Sequence, residues 1–367
     1  GWKPHAISYG TLAYGISSIP LALFLIYYLD FGVTGIIISV FLANIASIII
    51  LFCYAKEKIT NQFNKKFLKK WLKFSWIPIY PGVAVLVAGF DISIFTIITG
   101  SVIGLAFWTA AMVLPSIITH TGLISRAIYA KLLEEKTKEF MSENLTLVFY
   151  FGILLTSLVI TFARPGLYAL NPIYEIAFPV AIILSFEIFL SVFTNIFLLS
   201  LAGVERVDKF ENSTFKDYIK SKLFFPQTIR LIQTSIYILI LAIGLLILVG
   251  FGSSDQELLL FWASIALITQ IPLVCVLYYF VRKSITIKIE ISRIAKFSLT
   301  AIGAFGLTYV LTTQFLVYSP DIISFIPNVL MFGSLGVGLY IIITYLIDNK
   351  IRNLVHAIIY EIKTKKS

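Results

Sequence analysis

Long apolar stretches alternate with short polar breaks along the whole chain, and ten of them reach the length of a bilayer-crossing helix. They run from Ile7 to Leu29, Phe31 to Tyr54, Phe74 to Ile94, Ser101 to Leu123, Leu145 to Phe162, Ile173 to Ala202, Ile229 to Val249, Leu258 to Val281, Phe297 to Val317 and Ile322 to Ile347. About 20 apolar residues cross roughly 30 Å of hydrocarbon as a helix. The hydrophobicity is continuous and lacks the ten-residue alternating segments of an outer-membrane barrel. In lipid the backbone must satisfy itself within each segment. The pattern therefore predicts an all-α, polytopic integral membrane protein with about ten transmembrane helices.

Composition agrees. Of 367 residues, 59% are hydrophobic and 13% charged, against roughly 45–50% and about 25% in a soluble domain. Soluble enzyme, secreted protein and disordered binder are excluded. The net charge of +10 would suggest nucleic acid in a soluble protein, but its placement argues otherwise. Every second connection collects the basic residues, 28 of the 29, while only Arg164 falls on the other side. Asp30, Asp91, Glu175, Asp255, Glu257 and Asp321 lie near that other face. Positive loops stay cytoplasmic, so both termini are expected in the cytoplasm and no nucleic-acid partner is needed. The chain starts Gly1-Trp2-Lys3, with no initiating Met and no signal-like segment, which reads as a trimmed or partial chain.

The search for catalytic chemistry comes back empty. There is no phosphate-binding Gly-rich loop ending in Lys-Ser/Thr, no His-Glu-x-x-His and no Cys-x-x-Cys. His5, His120 and His356 are scattered, and Cys53 and Cys275 sit inside apolar runs. No catalytic residue, metal or cofactor is expected.

Polar residues inside the spans carry more information, because a charge at mid-bilayer costs about 2.5–3.5 kcal/mol even on insertion scales. Glu187 lies near the middle of the sixth span. Ser191 and Thr194 follow at i+4 and i+7 with Asn195 beside them, giving a polar stripe expected to face a protein cavity. An acid tied to a neighbouring helix is the competing reading. Asp91 is expected in the outer half of the third span or at its mouth, either as a functional acid or, with Ser93, as a cap for the next segment. In the fourth span Trp108 and His120 flank a weakly polar row of Thr109, Ser116 and Thr119. Asp91, Trp108, Glu187, Ser191, Thr194 and Asn195 are the candidates for a substrate or ion pathway. Outer connections are expected to be short, the longest being about ten residues at Asp91 to Gly100 and Arg164 to Pro172.

Between the second and third spans, Phe63, Phe67, Leu68, Trp71 and Leu72 alternate with five lysines at helical spacing. Residues 55–73 thus read as a basic amphipathic linker lying on anionic headgroups. It separates a two-helix segment, 1–54, from six helices over 74–281; residues 282–367 add two more helices and a basic tail.

Two stretches carry a resemblance to a family. Trp71 to Pro115, WLKFSWIPIYPGVAVLVAGFDISIFTIITGSVIGLAFWTAAMVLP, resembles the seventh and eighth helices of prokaryotic polysaccharide flippases of the multidrug/oligosaccharidyl-lipid/polysaccharide exporter superfamily. Leu170 to Asp208, with Tyr174, Ala177 and the Gly203 to Val207 turn, is similar to the tenth helix and its exit. The resemblance implies two six-helix lobes around a central cavity, with spans one to ten matching helices five to fourteen and the first four absent. Residues 7–54 would then be the remnant of the N-terminal lobe and 74–281 the whole C-terminal lobe. It also implies a multi-pass protein of a prokaryotic plasma membrane. There it would turn lipid-linked oligosaccharide or polysaccharide precursors to the outer leaflet by alternating access. Membrane lipids and glycan-assembly enzymes would be its partners. A cation-coupled small-molecule antiporter of the same superfamily is the rival reading, followed by an integral-membrane glycan polymerase or glycosyltransferase and by a channel or scaffold.

Overall fold

The structure, a computed structural model, describes residues 4–364 apart from 60–64, 66–67, 70–71, 73–74, 126–137, 206–214, 286–288 and 320. Among the described residues there is no strand, and nine helices are long and apolar enough to cross a membrane, or ten if one bent pair counts as a single span. The protein is an all-α, multi-pass membrane protein. The chain divides into two compact units, Gly1–Ser75 and Trp76–Ser367. Most of the amphipathic linker read over 55–73 lies outside the described residues.

The first unit is a helical hairpin of α1 (Pro4–Leu23), continued by a π-helical turn over Phe24–Tyr28, and α2 (Gly32–Ile59). Its turn is tight: Asp30 and Gly32 both take positive φ, 54° and 52°. Two glycines set how closely the helices approach. A Cβ at Gly10 would sit 3.1 Å from the Leu51 side chain, and one at Gly35 would sit 3.2 Å from Leu25. Lipid tails are as apolar as leucine, so helices in a membrane associate through close packing of this kind and not by escape from water. Tyr9 stacks on Tyr54 at 5.8 Å across the pair.

The second unit holds α3 (Trp76–Ala88), α4 (Phe90–Thr99), α5 (Val102–Val113), a 3-10 segment (Pro115–Ser125), α6 (Lys138–Leu170), a 3-10 turn (Pro172–Ala177), α7 (Phe178–Val204), the short α8 (Phe215–Lys220), α9 (Phe225–Gly250), α10 (Asp255–Ser284), α11 (Ile291–Phe315), α12 (Ile322–Ile347) and α13 (Asn349–Thr364). Its interior consists of three main layers. Phe95, Trp108, Leu184, Leu241 and Trp262 form one among α4, α5, α7, α9 and α10. Met141, Val148, Phe197, Leu273 and Leu277 form the next, deeper along α6, α7 and α10. Tyr150, Phe297, Phe305 and Tyr340 fasten α11 and α12 to α6, with Tyr340 Oη donating to the Tyr150 carbonyl at 3.1 Å.

Two sequence expectations change, and the fourth span is bent. Asp91 to Gly100 is not an outer loop but helix α4, ended by Gly100 at φ 65°; Asp91 and Ser93 looked like a break only because hydropathy averages over single polar residues. Arg164 to Pro172 is likewise mostly helix, since α6 runs through Pro165 to Leu170, and Arg164 is neutralised by Glu175 at 2.5 Å. The fourth span bends by 43° where α5 meets Pro115, which has no N–H to continue the ladder. Eleven residues of 3-10 helix follow, long for this conformation. Hydroxyls of Ser116, Thr119 and Thr121 each donate to the carbonyl three residues back, at 2.6–2.8 Å. The weakly polar row of this span therefore bonds to its own backbone, as Thr109 does to the Leu105 carbonyl.

The basic tail contains a helix the sequence reading did not separate, α13. Asp348 starts it: Oδ1 accepts from the N–H groups of Lys350 and Ile351 at 2.9 and 3.2 Å, and Oδ2 accepts from Arg293 Nε at 2.9 Å. One buried carboxylate thus caps α13 and ties it to α11. Asp348→Ala should cost about 1–2 kcal/mol by removing the cap and one of the two carboxylates on Arg293, which keeps Glu290, and Asp348→Asn should cost less because it keeps the cap. Melting in detergent, followed by gel-filtration peak height, would contradict this if both variants melted with the parent.

Candidate functional site

Asp91 occupies the first turn of α4, where the exposed N–H groups and helix dipole favour a carboxylate. The chain breaks at Gly89 between α3 and α4, which sets the new helix start inside the span Ile79–Thr99. Asp91 Oδ1 accepts from the Ile92 N–H at 2.7 Å. Its Oδ2 accepts from the Tyr237 hydroxyl of α9 at 3.0 Å, and that hydroxyl in turn accepts from Trp262 Nε1 of α10 at 2.7 Å. The donors all point toward the carboxylate, so each bond polarises the next.

Trp262 is fully buried, its indole pressed between two rings. Trp108 of α5 stacks on it at 3.7 Å with planes 4° apart, and Phe95 of α4 lies 4.8 Å away at 25°. Trp108 therefore holds the indole in place, and its own contact with a ligand is restricted by that burial. At the same end Ser101 Oγ accepts from the Gly104 N–H at 2.9 Å and donates to Asp255 Oδ2 at 2.8 Å, joining the starts of α5 and α10. Four helices are thereby locked around one acid.

The α7 residues divide among different environments. Glu187 lies nine residues into α7, about 13 Å along it. It is half-buried and, among the described residues, has no hydrogen bond or ion pair. Ser191, half-buried, and Asn195, exposed, are also without a hydrogen bond among the described residues. Thr194 is buried and accepts from Gln270 Nε2 of α10 at 2.8 Å. Trp262 and Gln270 are eight residues apart and so share one face of α10.

A cavity of about 860 Å³ lies between α6, α7 and α11, but the stripe does not line it. The cavity takes Ile182, Phe186 and Phe189 from α7, which at 100° per residue lie on the side opposite Glu187 and Thr194. The large cavity is therefore not the one expected along the stripe. What the fold brings together are Asp91 and Trp108, around Tyr237 and Trp262, and separately Thr194 and Gln270.

Sequence reasoning missed Tyr237, Trp262 and Gln270. Gln270 could have been found, since an amide inside a span is as anomalous as a hydroxyl stripe. Tyr237 and Trp262 could not, because an aromatic ring in an apolar run looks like packing until its polar atom has a partner. Among the described residues no group of three or more His, Cys, Asp or Glu is placed to hold a metal.

No family model and no curated protein matches the chain. Among solved structures, the chain is similar to one described as "Lipid II flippase MurJ, inward closed conformation", with a TM-score of 0.56 and 16% identity over 94% of this chain and 67% of that one. The two share a fold.

Tyr237→Phe removes the hydroxyl from between two partners and should cost about 1–3 kcal/mol. Adding Trp262→Phe should cost less than the two single changes summed, because both break the same chain of bonds. Strict additivity in a double-mutant cycle of detergent stability would show that the three groups do not act together.

Proposed function

We propose that this protein is a flippase for a lipid-linked oligosaccharide or polysaccharide precursor, carrying the sugar head from the cytoplasmic to the outer leaflet. The observation that carries this reading is the fold shared with a lipid II flippase along 94% of the chain. A hydroxyl-rich head cannot enter hydrocarbon unaccompanied, so it needs a polar path that opens to one side at a time while the lipid tail stays among other tails. Both termini lie in the cytoplasm of a prokaryotic cell on this reading, which rests on the placement of 28 of the 29 basic residues.

Within that path Glu187, Ser191 and Asn195 supply the groups without partners of their own, free to bond sugar hydroxyls or to engage a coupling cation. Asp91 is the anchored acid. Its bonds to Tyr237 and Ile92 hold it in a fixed position, while Trp108 and Trp262 keep the wall behind it rigid.

One observation favours a second reading. Glu187 has no basic partner among the described residues, which also suits a cation-coupled antiporter of small molecules. The two readings separate on substrate.

In proteoliposomes carrying a fluorescent lipid-linked oligosaccharide, Glu187→Gln should slow its appearance in the opposite leaflet roughly tenfold, about 1.4 kcal/mol of barrier. Equal rates at equal protein content would remove Glu187 from the path. Exchange of a cationic dye for protons, with no movement of the oligosaccharide, would replace the flippase reading by the antiporter.

A further inference from the structure

The cavity on the other face of α7 has a different chemistry. Its volume, about 860 Å³, falls within the roughly 300–1,000 Å³ of small-ligand sites. Most of its wall is apolar, with Ile160, Ile182, Phe186, Ile302 and Phe305 among the lining side chains. Along α6 it extends from Ile153 to Arg164, about 16 Å at 1.5 Å per residue, close to half of a ~30 Å hydrocarbon core. That is the depth of one leaflet.

Its one charged lining group, Arg164, lies at one end, while hydroxyls are spread along its length from Ser298 and Thr156 to Thr313. Tyr150 meets Phe297 and Tyr168 meets Tyr318, so α6 and α11 run in the same direction and bring Arg164, Thr313 and Tyr318 to the same level. Arg164 uses Nε for Glu175, and its two Nη groups make no hydrogen bond among the described residues. One turn deeper, Thr161 lines the cavity, is 8% exposed and makes no hydrogen bond among the described residues. Thr156, deeper still and 5% exposed, has an unpartnered Oγ1. Thr146 near the start of α6, and Thr312 and Thr313 of the cavity wall, fold back onto a carbonyl one turn earlier. Thr156 and Thr161 do not.

We propose that this cavity holds one glycerophospholipid of the surrounding bilayer as a resident ligand. Its phosphodiester sits at Arg164 and Tyr318, an ester carbonyl accepts from Thr161, and one acyl chain runs along Ile182, Phe186 and Phe305. Charge favours this occupant over the pyrophosphate-linked carrier of the transport reading. Glu175 offsets part of the Arg164 charge, so the mouth suits a phosphodiester bearing one negative charge better than a pyrophosphate bearing more. An intact lipid also explains why the wall is mostly apolar for a leaflet's depth and carries its one charged lining group at the end. The ligand would wedge α11 against α6 and α7, away from the face that carries Glu187, and the proposal stands independently of what the protein transports.

The test counts retained lipids. The protein is reconstituted in nanodiscs of palmitoyl-oleoyl phosphatidylglycerol and phosphatidylethanolamine and released in a mass spectrometer at an activation that strips loosely held lipid. The parent should keep one phospholipid. A Cβ at Gly306 meets nothing within 4 Å, so Gly306→Leu should fold, fill the cavity and keep none; Ile302→Trp is a second filling variant. Arg164→Gln should lower retention about tenfold, roughly the worth of one charge-assisted contact, while Glu175→Gln should leave it intact. The proposal is overturned if the parent retains no phospholipid, or if the filled variants retain as much as the parent. It also fails if Glu175→Gln falls as far as Arg164→Gln, which would make the ion pair purely structural. Displacement of the phospholipid by an equal mole fraction of polyprenyl pyrophosphate would assign the cavity to the carrier instead.

Discussion

Hydrocarbon neither donates nor accepts hydrogen bonds, and nearly every feature of this molecule follows from that constraint. The backbone closes its own bonds as helix, and where a proline breaks the ladder a substitute is found nearby. At Pro115 the substitute is a 3-10 segment whose hydroxyls bond the carbonyls left behind. Helix ends obey the same rule. Ser254 and Glu257 cap α10 reciprocally, and Asp348 caps α13 while neutralising Arg293. Against this background a polar side chain without a partner stands out, and such groups mark both sites described above.

The two sites use the two faces of α7. On one face Glu187 and Ser191 make no hydrogen bond among the described residues, while Thr194 accepts from Gln270 of α10. On the other, Phe186 and Phe189 complete an apolar chamber with α6 and α11. A single helix can separate a polar route from a lipid-like one because 3.6 residues per turn place positions 186 and 187 about 100° apart. Rigidity is unequal as well. The acid on α4 is held by two hydrogen bonds, whereas Glu187 is held by none among the described residues.

Several features could be read directly from the residues. The number and approximate placement of the spans follow from runs of apolar residues, since twenty in succession have no other stable home. Glu187 and Asp91 were visible for the same reason, as charges that a lipid-facing helix would expel. Other features misled. The Asp91 to Gly100 and Arg164 to Pro172 segments were read as loops because hydropathy counts a charge as a break, and it cannot see that Arg164 meets Glu175 or that Asp91 meets Tyr237. The large cavity beside α7 was not legible either, for periodicity identifies a face without saying what lies opposite it, and this cavity lies on the face away from the stripe.

The sequence by itself determined that this chain is a bundle of membrane helices, with its basic charge collected in alternate connections and a few acids kept inside. Those are properties of single residues in a solvent, and transfer energies are local. Which polar atoms meet was decided only by the tertiary structure. Tyr237 finds Asp91 across 146 positions, Thr194 finds Gln270 across 76, and Arg293 finds Asp348 across 55. A hydrogen bond depends on distance and direction between atoms that the chain brings together only when the helices pack, and nothing in the local order of residues encodes that meeting.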